Sequence, residues 1–285
     1  MTTHFSNGVT NNPGRDKGGN PLWSVLKQPD PTSALTEFVY FDDFFKYVPA
    51  DWTITDEGGS ETQTADYDNG WLSQVDTAPG ANAVNLLEGP DVWSFQKGDS
   101  TTPGLILSYE TQFAIKDVDK LNTWHGLAIA TYADPIAVPL DGVGFHHAED
   151  TTTIQFSVKS STVGGATSST LVTAPGGSTS ITLADAAITT KSATAPSTPD
   201  EVIRLGFMYV PAGRDSYHDG ATAGKFWVFY NGVRVATVAD TNLPYDKMLG
   251  VSLGWQSKGT DTNALYTDFI KIKSERMGVS APSWS

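Results

Sequence analysis

From Phe38 onward, apolar and polar residues alternate along successive short runs. Leu105, Leu107, Tyr109, Thr111, Phe113 and Ile115 fall on one side of such a run, with Ile106, Ser108, Glu110, Gln112, Ala114 and Lys116 on the other. A period of two with one apolar side predicts a half-buried β-strand. The pattern returns at Ile154, Phe156 and Val158, at Ile203 to Tyr209, and at Leu249, Val251, Leu253 and Trp255. A last run extends from Leu265 to Ile272, and Lys271, Lys273, Glu275 and Arg276 are expected to solvate its exit. Gly, Pro, Asp and Asn punctuate the runs, and no segment shows a capped helical period. The pattern predicts an all-β protein, an antiparallel two-sheet β-sandwich of about a dozen strands.

One hairpin reads residue by residue. Lys225 to Tyr230 leads into Asn231-Gly232, and Val233 to Val238 leads out. Asn-Gly supplies the two left-handed positions of a type I′ turn, which predicts Tyr230 opposite Val233, Val228 opposite Val235 and Phe226 opposite Thr237. On that register Phe226, Val228, Tyr230, Val233 and Val235 share one side, while Trp227, Phe229, Ala236 and Val238, interrupted by Arg234, share the other. Two apolar sides predict that a second layer, from another segment or another copy, covers the Trp227, Phe229, Arg234 and Val238 side.

Residues 1–35 are rich in Asn, Gly and Pro, with hydrophobic residues spaced singly at Phe5, Val9, Trp23 and Leu26. Such a segment forms no core. It is a disordered tail or an extended arm ordered on a neighbour, and the single anchors favour the arm, with Phe5, Asn7, Gly8, Val9, Trp23 and Leu26 as contacts. Trp284, beside the final residue, is expected to dock as well. Residues 36–285 read as one sandwich domain with a Ser, Thr and Gly-rich insertion at about 160–200, a hairpin there being suggested by Leu171-Val172 and Ile181 to Leu183.

Composition narrows the chemistry. The 285 residues hold no cysteine, which excludes disulfides and thiolate sites, and a net charge of −14 with 18 Lys and Arg argues against nucleic acid. The beginning of the chain has no basic head followed by an apolar run, and no stretch approaches the roughly 18 apolar residues that cross a membrane, so a chain made in the cytoplasm is expected. A sandwich glycosidase needs two carboxylates across a sugar, commonly on alternate residues of one strand, and the long strand offers Glu110 alone. The Glu-x-Asp-x-x-Glu strand of laminarinase-like enzymes is absent, and Glu149-Asp150 reads as a hairpin tip. His146 and His147 are adjacent and so point to opposite faces, while Asp66 to Gly70 opens like a calcium loop without its distal Glu. No metal, no cofactor and no catalytic residue is expected. Trp71, Trp93, Trp124 and Trp227 read as core or interface residues, although flat aromatic faces also stack on sugars.

Several short motifs resemble the structural proteins of tailed-phage virions. They are Phe5-Ser-Asn7-Gly8-Val9-Thr10, Tyr40-Phe-Asp42-Asp43-Phe44 with Asp51-Trp52-Thr-Ile-Thr55, the 230–238 hairpin with Thr241-Asn242-Leu243-Pro244, and Thr267-Asp268-Phe269-Ile270 with Glu275-Arg276. The resemblance implies a concanavalin-like jelly roll and a non-enzymatic place on the virion, as a capsid decoration or cement protein. Its expected partners are the major capsid protein, other virion proteins and copies of itself, a homotrimer being favoured. It would sit on the capsid surface after assembly in the host cytoplasm. The alternative is a carbohydrate-binding or glycan-degrading surface or tail component on a lectin-like sandwich.

Overall fold

The computed structural model describes residues 37–44, 47–57, 61–67, 71–76, 83–98, 104–129, 141–161, 167–173, 175, 180, 181, 183, 202–212, 223–258 and 263–275. The arm positions Phe5 to Leu26, the Asp68 to Gly70 turn and Trp284 lie outside them. The described residues form fifteen strands in two antiparallel sheets, the architecture of a concanavalin-like sandwich. One sheet runs β13 (Val233–Ala239), β12 (Lys225–Tyr230), β11 (Ile203–Val210), β6 (Leu107–Ile115), β15 (Ala264–Glu275), β4 (Trp71–Asp76) and β3 (Glu61–Tyr67). β1 (Glu37–Asp42) pairs with the second half of β15 and makes this sheet eight-stranded. The other is seven-stranded: β10 (Thr167–Leu171), β9 (Ile154–Lys159), β8 (Gly142–His147), β7 (Leu121–Ala128), β14 (Gly250–Ser257), β5 (Val84–Glu88) and β2 (Thr53–Glu57).

The apolar side of each alternating run faces the opposite sheet. Phe207 on β11 stacks on Tyr109 at 5.3 Å between ring centroids and meets Phe156 at 5.5 Å and Phe145 at 6.2 Å from the other sheet. Phe95 and Phe226 close the cluster, and all of these rings are essentially without solvent exposure. Nearer the middle, His125 lies flat on Phe113, 3.9 Å apart, with neither ring nitrogen hydrogen-bonded. Burial pushes its pKa down to about 3, so the imidazole is neutral.

The 225–239 hairpin turns as the sequence requires, with φ of 48° at Asn231 and 79° at Gly232. Its register differs from the sequence expectation. Tyr230 faces Val233 and Phe229 faces Arg234, but Val228 then faces Ala236 and Phe226 faces Val238, because β13 carries a bulge at Val235. One inserted residue moves Val238 from the outer side to the core side, where it packs with the main cluster. The true outer residues, Trp227 and Phe229, pack with Ile106, Met208 and Val210, and Arg234 lies over the Trp227 ring at 5.0 Å. These five apolar side chains are 0–6% exposed in a single chain, so their cover does not come from a second copy. Lys273 also departs from expectation: it is 5% exposed rather than solvated, because β1 pairs along that end of β15.

Phe207→Ala is expected to cost roughly 3–5 kcal/mol, the range for emptying a packed aromatic site, as measured by denaturant unfolding. A cost below about 1 kcal/mol would mean that the rings do not hold the sheets together.

Candidate functional site

The residues that alternate away from the core on the seven-stranded sheet line up into rows across the strands. One row crosses all seven: Thr53, Glu88, Ser252, Gly126, Gly144, Ser157 and Ser169 stand in register from β2 to β10. The next row runs Thr55, Leu86, Gly254, Trp124, His146, Gln155 and Leu171. Glycine at three adjoining strands has a steric cause. A methyl group on Gly126 would stand 2.6 Å from the Gly144 Cα, one on Gly144 would stand 2.8 Å from the Gly126 Cα, and one on Gly254 would stand 2.9 Å from the Leu86 Cα. Neighbouring backbones therefore approach closely on this outer side, and the three glycines, with Trp124, Ser157 and Ser252 around them, are buried within the chain. The floor there is backbone.

Polar groups border this floor. The Trp124 indole lies across Gly144, within 2.9 Å of where a Cβ would be, and its Nε1 is buried without a hydrogen-bond partner. Ser157 and Ser169 share a hydrogen bond at 2.9 Å. Asn122 donates to Gln256 Oε1 at 3.4 Å and Glu149 Oε2 at 3.3 Å, and its own Oδ1 accepts from the Glu149 amide at 2.9 Å. Lys258 pairs with Glu149 at 3.8 Å and with Asp150. His146 and Gln155 are half-buried on the same side. The adjacent His147 points into the core, where its ring nitrogens meet the carbonyls of Leu121 and Thr151 at 2.8 Å.

Glu88 closes one end of the floor. It is 3% exposed and its Oε1 has no hydrogen-bond partner, so burial, with Asp91 adding to it, pushes the carboxyl up to about 7. Asp91 is raised by partial burial too, and its Oδ1 stands 3.0 Å from where a Cβ on Gly250 would lie. This buried carboxyl was not visible in the sequence, because Glu88 ends a short run, Val84 to Leu87, in which Asn85 is the one polar residue and which shows no clear strand alternation of its own. Of the sequence-derived contact residues, Trp227, Phe229 and Arg234 lie on the other sheet and Val238 in the core, so none reaches this face.

No family model matches the chain, and no curated protein matches it. Solved structures do share its fold. An endo-1,3-beta-glucanase from Streptomyces sioyaensis matches at 11% identity and TM-score 0.48 over 82% of this chain and 95% of its own. The laminarinase catalytic domain from Thermotoga petrophila matches at 11% identity and TM-score 0.49 over 85% and 99%. A seed lectin from Lotus tetragonolobus matches at 10% identity and TM-score 0.41 over 84% and 100%. At such identities the likeness concerns the fold. The sequence led to the expectation of a non-enzymatic protein; the similar structures are instead named as glucanases, laminarinases and lectins, and that expectation is not carried further. None of the comparisons bears on a virion role.

Glu88 gives this surface a pH signature. Between the ordinary glutamate value and about 7 the folded state holds a proton that the unfolded state has released, so stability falls as pH rises through that window. Glu88→Gln should match the parent in melting at about pH 4 and exceed it at about pH 8, by roughly 3 kcal/mol at most. Equal melting at both values would show that Glu88 ionises normally.

Proposed function

We propose that the protein handles carbohydrate, with a glycan lying across the strands on the outer side of the seven-stranded sheet. The observation that carries this reading is the set of polar side chains that reach solvent on adjoining strands of that side, Asn122 on β7, His146 on β8 and Gln155 on β9, with His146 and Gln155 directly in register. Hydroxyl, amide and imidazole groups along the same rows offer the paired donors and acceptors that sugar hydroxyls need. The similar folds named as glucanases and as a lectin are in keeping with this reading.

Titration calorimetry against a panel of β-glucan and other neutral oligosaccharides is expected to show saturable binding. His146→Ala combined with Gln155→Ala, both half-buried at the border, should weaken it by about tenfold with unchanged melting. Release of reducing ends from the bound glycan tells cleavage from binding. No saturable binding across the panel, or binding that the double variant leaves intact, would remove the reading.

The sequence motifs support a further placement on a virion surface, where a glycan-handling sandwich would meet host envelope polysaccharide. The trimer is kept as part of that proposal, resting on the sequence resemblance. Light scattering is expected to give three times the 30.5 kDa chain mass, and a monomer at high concentration would withdraw the trimer.

A further inference from the structure

The outer face of the eight-stranded sheet carries a group built on different principles. Glu110, in the middle of β6, is 2% exposed and its Oε1 accepts a hydrogen bond from Arg204 Nε at 2.7 Å. The Arg204 guanidinium lies over the Phe269 ring with Cζ 5.7 Å from the centroid, and Phe41 stands 6.1 Å beyond. One nitrogen tied down and one plane stacked leave the remaining fork with a fixed direction. Its two terminal nitrogens make no hydrogen bond with the described residues, and the side chain is 40% exposed.

A bulge in β15 assembles the rest. Thr267 faces Phe113 and Phe269 faces Gln112, so Asp268 is the inserted residue, and its carboxylate accepts a hydrogen bond from Gln112 Nε2 at 2.8 Å on the same side. Bulges of this kind re-aim side chains. Lys271, half-buried, stands opposite Glu110 in the β15–β6 register. An ion pair that takes one carboxylate out of water gives a fold little that an apolar pair would not. An anchored, stacked and outward-facing guanidinium fork gives it a bidentate donor for a planar anion.

We propose that this face binds a uronate residue of an acidic polysaccharide, with the carboxylate on the terminal nitrogens of Arg204, the sugar ring against Phe269 and Phe41, and hydroxyls on Gln112 and Asp268. The aromatic pair beside the fork selects a ring-bearing carboxylate over an acidic side chain of a peptide, which would leave Phe269 and Phe41 uncovered. The inference stands independently of the glycan reading for the opposite sheet. Asp268 adds a pH dependence: burial, with Asp43 adding and Arg204 opposing, pushes its carboxyl up to about 6. Glu110, Lys271 and Lys273 are the other charged groups around the fork, and Lys271 is itself held below its ordinary range by burial. Neutralising Asp268 removes a repulsion against the incoming carboxylate, so binding strengthens as pH falls from about 7 to 5.

Titration with galacturonate oligomers, matched neutral oligomers and an acidic peptide tests this. Galacturonate binding is expected, with Arg204→Lys weakening it by about tenfold because lysine keeps the charge beside Glu110 but lacks the fork. Melting of Arg204→Lys is measured alongside, and Phe269→Leu, which retains the ion pair, is expected to weaken binding as well. Lys247→Ala, a partly exposed cation paired with Asp246 away from both faces, should leave binding unchanged. The proposal is overturned if galacturonate does not bind, if both Arg204→Lys and Phe269→Leu bind as the parent does, if Lys247→Ala weakens it equally, or if the acidic peptide binds as tightly. Neutral glucan binding, scored separately with the His146 and Gln155 variant, fails or survives on its own.

Discussion

Phe207 sets the separation of the two sheets. It sits on β11 of the eight-stranded sheet and its ring reaches Phe145 and Phe156 on β8 and β9 of the other, while Tyr109 stacks beneath it at a 13° interplanar angle. Rings this large do not pack at a variable distance, so the strands that carry them are fixed face to face. The outer faces are consequences of that arrangement. With the inward side of every central strand committed to the core, function can lie only in what alternates outward, at the strand ends, or in loops.

The two outward faces solve different problems. On the seven-stranded sheet the backbones of β7 and β8 approach each other closely at Gly126 and Gly144, as do those of β14 and β5 at Gly254, and glycine is the residue that permits it. The Trp124 indole covers Gly144, and the polar side chains that reach solvent, His146 and Gln155 among them, stand around this buried strip. On the eight-stranded sheet the strands keep their side chains, and part of the face is an apolar layer of Ile106, Met208, Val210, Trp227 and Phe229 closed within the chain. Beside it the Glu110–Arg204 pair is one of few charged groups drawn to the centre of a sheet in a chain of net charge −14. Buried charge in such a place needs a partner, and Arg204 serves as partner while leaving its fork outside.

Alternation exposed much of this in the sequence. β6, β9, β11, β14 and β15 follow from period-two runs, and the Asn231-Gly232 turn follows from its backbone demand. The hairpin register did not, because a bulge is one residue long and nothing in Val233-Arg-Val235-Ala-Thr announces which position is inserted. The same holds for Asp268, whose place beside Gln112 depends on a bulge in β15. The polar face of the seven-stranded sheet was hidden for another reason. Its glycines are scattered at 126, 144 and 254, and they become one floor only through strand pairing across long sequence separations. Searching one strand for two carboxylates therefore looked past Glu88, which is brought to this face from β5.

The polar outer side of the seven-stranded sheet is the central claim, and the most direct measurement of it is a nitrogen–proton correlation spectrum recorded during titration with a neutral gluco-oligosaccharide. The account predicts saturating shifts at the side-chain amides of Asn122 and Gln155 and at the backbone amides of His146 and Ser169, which share that side. Shifts confined to the Phe41, Gln112 and Phe269 side, or an unchanged spectrum at saturating sugar, would contradict it.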